Sequence, residues 1–166
     1  MCGACGGLPS DWAVPLVSGH RRRSAIARYV GGVCTGVAVR AVPQGWLVTG
    51  ATGAARVMPT LDRLLDGVFR RLTATGWADL EASLRDHENG AAAEPYPGYR
   101  PREAPHPPAA LTVMSVPSHG SLHVRLAAFG LGIRAFDRRA VALDARERET
   151  PFRLLASDGR ILGSAP

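Results

Sequence analysis

Leu122-His123-Val124-Arg125-Leu126-Ala127-Ala128, followed closely by Leu131 to Phe136, is the stretch on which the architecture of the C-terminal third turns. Leu122, Val124 and Leu126 alternate with His123 and Arg125. That alternation puts apolar side chains on one face of a pleated strand and polar ones on the other, and it predicts a half-buried sheet. Leu111 to Val116 and Ala140 to Ala145 are β-rich in the same way, and Phe152 to Leu162 reads as a hairpin turning at Asp158-Gly159. Residues 109–166 are therefore expected to form a β-rich segment. A piece of under about 60 residues buries too little surface to hold a fold alone, so it is expected either to dock on the rest of the chain or to stay loosely ordered.

Upstream of it, residues 88–108 hold Pro95, Pro97, Pro101, Pro105, Pro107 and Pro108 without apolar periodicity, the composition of a proline-rich linker. Residues 21–87 read as an α+β core module in the order α-β-β-β-α-α. Ile26, Tyr29, Val30, Val33 and Cys34 make one face of a helix over 21–34. Val37 to Val42 and Trp46 to Thr49 form a hairpin across Pro43-Gln44, and a short third strand lies near Ala55 to Met58, completing a small meander sheet. Thr60 caps a helix whose stripe is Leu61, Leu64, Leu65, Val68 and Leu72, with Asp62 and Asp66 on its solvated side. A further helix runs from Trp77 to about His87, with Trp77, Leu80 and Leu84 inward. Residues 1–20 are a cysteine-containing tail or knuckle.

The chain has 166 residues, 46% of them hydrophobic, enough for one ordinary core and too little for a large multidomain enzyme. No apolar run approaches the roughly 18 residues that span a bilayer, and the first ten residues lack an export-signal pattern. With only three cysteines, an odd number, a disulfide scaffold is disfavoured and a cytoplasmic setting expected. All 20 basic residues are Arg, in an Ala-, Gly- and Pro-rich composition typical of GC-rich coding sequence, so part of the net charge of +6 is background. The distribution says more. Between Asp11 and Asp62 there is no acidic residue, while Arg21, Arg22, Arg23, Arg28, Arg40 and Arg56 all fall there, a local field that attracts phosphates or an acidic protein face.

Cys2-Gly3-Ala4-Cys5-Gly6 has the spacing of half a zinc knuckle. A closed tetrahedron within the chain would take Cys34 and His20 as its remaining ligands, giving Cys2, Cys5, His20 and Cys34 around zinc. Met1-Cys2-Gly3 resembles the start of class II glutamine amidotransferases, but the partners of an activated nucleophile are missing. Thr49-Gly50-Ala51-Thr52-Gly53-Ala54-Ala55-Arg56 resembles the glycine turn of short-chain dehydrogenases. Here Arg56 replaces the third glycine and the next helix starts only at Thr60, so the stretch reads as a turn in the meander. His119 and His123 read as surface histidines at a turn and a strand, and no catalytic constellation is visible. The α-β-β-β-α order of residues 21–74 is similar to that of double-stranded RNA-binding domains, although Asp62 stands where that family needs a basic helix start.

The expectation is a small basic, non-enzymatic accessory or regulatory protein. It would bind nucleic acid or an acidic protein partner through Arg21, Arg22, Arg23, Arg28 and Arg40, with no membrane partner. The alternative is a zinc- or thiol-site protein centred on Cys2 and Cys5.

Overall fold

The computed structural model describes residues 12–87, 109–115, 121–136, 139–147 and 150–165. Cys2, Cys5, His119 and the expected linker at 88–108 lie outside the described residues. The fold is α+β, a three-stranded antiparallel sheet with helices followed by a four-stranded mixed sheet.

The first half follows the periodicities. After a single turn of helix, α1 (Val14–Val17), comes α2 (His20–Val33), which buries Ile26, Tyr29, Val30 and Val33, with Cys34 buried at its C-cap. The expected tail therefore ends earlier than residue 20, because Ala13, Leu16 and Val17 already belong to the core. Strands β1 (Val37–Val42), β2 (Gly45–Gly50) and β3 (Ala55–Met58) pair in order as an antiparallel meander. Helix α3 (Leu61–Val68) starts at Thr60, whose hydroxyl accepts from the Arg63 N–H at 3.1 Å, satisfying one of the orphan donors of the first turn. Its stripe ends at Val68, and a 3₁₀ turn over Phe69–Arg71 delivers Leu72 to a bridge with Cys34. Helix α4 (Trp77–Arg85) buries Leu80 and Leu84.

Register places the two faces of the first sheet unequally. Trp46, Val48 and Met58 face the helices: the Trp46 indole N–H donates to the carbonyl of Arg23 on α2 at 2.9 Å, and Met58 reaches Gly67 on α3. On the opposite face, Ala38 pairs with Thr49 and Thr49 with Ala55, while Arg40 pairs with Leu47 and Leu47 with Val57.

The C-terminal segment departs from expectation. β4 (Leu111–Met114) is followed by a 14-residue helix, α5 (Leu122–Ala135), where the alternation predicts strands. Every residue from Leu122 to Ile133 is buried. A helix enclosed on all sides carries no amphipathic stripe, so the helical period is erased. The apparent strand alternation comes from two polar residues, His123 and Arg125, that are themselves inside. Helix α5 touches α1, α2, α3 and α4 on one side and the second sheet on another, so the segment docks as the centre of a shared core. Close approach is possible because Gly132 has no side chain: a Cβ there would lie 2.2 Å from the Trp77 ring.

Strands β5 (Val141–Glu147), β6 (Thr150–Ser157) and β7 (Arg160–Ala165) complete the second sheet, with β4 parallel to β5 across α5 and the rest antiparallel. The β6–β7 hairpin turns at Asp158-Gly159, both at positive φ, as the two-residue loop requires. Asp62 and Asp66 are not merely solvated. Arg134 of α5 bridges both carboxylates at 2.7 Å, and the Trp12 indole N–H donates to Asp62 at 3.0 Å.

Candidate functional site

The five arginines expected to form one basic face are distributed by the fold among different environments. Arg22 falls on the buried stripe of α2, and its Nη1 donates to the carbonyl of Pro15 at 3.2 Å. Arg23 is half-buried and donates to the carbonyls of Val42 and Pro43, clasping the β1–β2 turn. Arg21 and Arg28 are exposed and seven residues apart, which puts them on the same side of α2 about 10 Å apart along its axis. Arg40 is exposed on the face of the first sheet that points away from α2. The structure therefore brings together Arg21 and Arg28, leaves Arg40 on another side, and gives Arg22 and Arg23 internal work.

Of the four expected zinc ligands, His20 and Cys34 are described, and they stand at opposite ends of α2. A helix of 14 residues separates its ends by about 20 Å, whereas one zinc ion holds its ligands at roughly 2 Å. His20 is exposed beside Ser24. The Cys34 thiol is buried and donates weakly to the carbonyl of Val68 at 3.8 Å, and burial pushes its pKa up to about 11, so it stays a thiol. No group of three or more metal-ligating side chains gathers among the described residues.

A polar seam that sequence patterning did not locate runs through the core where α2, α4 and the start of α5 meet. Arg125, 2% exposed, donates to the carbonyl of Ser115 and lies 3.5 Å from Glu81 of α4. Burial lowers the Arg125 pKa and Glu81 opposes that shift. His123, 4% exposed, is hydrogen-bonded to Ser121 at 2.9 Å, and its pKa falls to about 4 through desolvation first and the nearby Arg22 charge second. It is an interior histidine on a helix, not the surface histidine expected. The Tyr29 hydroxyl meets Ser83 at 3.0 Å, and burial raises its pKa well above the ordinary tyrosine range. Tyr29, Cys34 and His123 are thus all moved away from neutral pH, the reverse of the tuning that general acid–base catalysis uses. The seam ties segment ends together: Arg22 holds Pro15 and Arg125 holds Ser115. The only signal for it in the sequence is the pair of polar residues interrupting the apolar run from Leu122 to Ile133.

Comparison with protein families, with curated proteins and with solved structures finds no match for this chain. Among the described residues no helix is long and apolar enough to cross a membrane.

Proposed function

We propose that this chain is a small basic binding protein, not an enzyme, that engages nucleic acid or an acidic protein partner. The observation that carries this reading is the absence of any acidic residue from Trp12 to Leu61, on which Arg21, Arg28 and Arg40 are exposed. Arginine guanidinium groups keep their charge at any physiological pH and bind phosphate or carboxylate in a bidentate fork.

Fluorescence anisotropy with labelled duplex DNA, single-stranded RNA and polyglutamate, repeated across a salt series, tests it. Binding that weakens steeply with salt is expected. For nucleic acid, replacing Arg21 and Arg28 together with Ala should lower the slope of log affinity against log salt by about 1.8, from two lost phosphate contacts. Absence of binding to all three probes and to a peptide alternating Glu and Leu, or binding indifferent to salt, overturns the proposal.

A further inference from the structure

We infer that the outer face of the β1–β3 sheet is a docking surface for an acidic, aliphatic segment of a partner protein. The inference takes the basic binding module as its premise and assigns its partner. An antiparallel sheet covered on one face by helices ordinarily turns polar residues to solvent on the other. Here the second face carries Ala38, Arg40, Leu47, Thr49, Ala55 and Val57, and α2 and α3, the described helices that pack on the sheet, lie on the far side. Val57 is 54% exposed, and its row across the sheet runs Val57, Leu47, Arg40. Val57 and the half-buried Leu47 thus set aliphatic surface beside the Arg40 guanidinium on this face.

Charge decides the occupant. Arg40 is the only ionisable side chain among those six. Arg56, next to Val57 on β3, pairs with Val48 and so belongs to the other face, and Arg40 makes no ion pair among the described residues. With no acidic residue anywhere in the three strands or their turns, the face complements a segment that offers aliphatic side chains for Leu47 and Val57 and a carboxylate for Arg40. A second copy of this chain would set Arg40 against an equally acid-free face on a molecule of net charge +6. Single-stranded nucleic acid fits poorly because its bases stack on aromatic rings and none of the six residues is aromatic, and a duplex, held through its phosphates, would leave Leu47 and Val57 without a partner.

The test uses the full-length ¹⁵N-labelled chain and a short synthetic peptide alternating Glu and Leu, with a Lys–Leu peptide and duplex DNA as the other probes. The Glu–Leu peptide is expected to shift the amide signals of β1, β2 and β3. Val57→Glu and Arg40→Glu, both at exposed positions, should each weaken it at least about tenfold, and Arg40→Glu should gain binding to the Lys–Leu peptide. Far-UV circular dichroism confirms that each variant is folded. The inference is overturned if no strand signal moves at millimolar peptide, if DNA produces the same strand shifts, or if those signals move with protein concentration alone, which would mean self-association. Polyanion binding through α2 with silent strands refutes this docking face and leaves the proposed function standing. Strand shifts with the Glu–Leu peptide but no binding to nucleic acid or polyglutamate support this face and narrow the proposed function to an acidic protein partner.

Discussion

His123 shows what a single buried side chain contributes to the behaviour of the molecule. Folded, it resists protonation down to about pH 4, whereas in the unfolded chain it titrates near 6.5. As pH falls the unfolded state takes up the proton first. The stability tied to this residue is therefore fully present above about pH 6.5 and lost progressively toward pH 4, to a total on the order of 3 kcal/mol. Urea unfolding at about pH 7 and about pH 4.5 should show wild type losing more stability than His123→Gln over that interval. Equal losses would exclude His123 as the source. The residue was legible in the sequence as a histidine near a turn, and its burial was not, because a polar residue in an apolar run looks the same whether it faces solvent or a neighbouring arginine. The same holds for Arg22, which sits four residues before Ile26 on the apolar stripe but reads as part of a basic cluster.

At the scale of elements, the contrast between α3 and α5 is instructive. Helix α3 lies at the surface with one side packed, so Leu61, Leu64, Leu65 and Val68 record its period and Thr60 marks its start. Helix α5 is packed all round, and its glycines, which count against a helix by propensity, are what allow α3 and α4 to approach it. Gly132→Ala should therefore destabilise the protein. Alanine favours a solvent-exposed helix by up to about 1 kcal/mol, but a methyl group placed 2.2 Å from the Trp77 ring forces repacking that costs about 1–3 kcal/mol or more. A lower urea midpoint with an unchanged slope is the expected outcome, and a raised midpoint would show that Trp77 moves aside freely. The hairpins were readable for the opposite reason, since Pro43-Gln44 and Asp158-Gly159 are local turn signals that need no tertiary context.

On the scale of the whole molecule, α5 makes the two halves of the described chain one core. The buried stripes of α2, α3 and α4 all pack on it, and it also covers the second sheet. A chain ending at residue 108 would expose those stripes. It is expected to show no cooperative thermal transition by circular dichroism and no dispersed amide spectrum. A cooperative transition in that fragment would show instead that residues 21–87 fold on their own. The surface arginines belong to the same scale: their meaning depends on which side of this core each one occupies, and Arg28 and Arg40 occupy different sides.

The sequence by itself determined the α+β class, the α2 and α3 stripes, the meander, the C-terminal hairpin and the acid-free basic stretch, because each is written in residues close together in the chain. Tertiary structure alone decided that Leu122–Ala135 is a helix, that His123 and Arg125 are interior, that His20 and Cys34 stand a helix length apart, and that the arginines divide between core and separate surfaces. The physical reason is common to all four. Periodicity reports a boundary between core and solvent, so an element with no such boundary leaves no period, and a charge reveals its environment only once its neighbours from distant segments are in place.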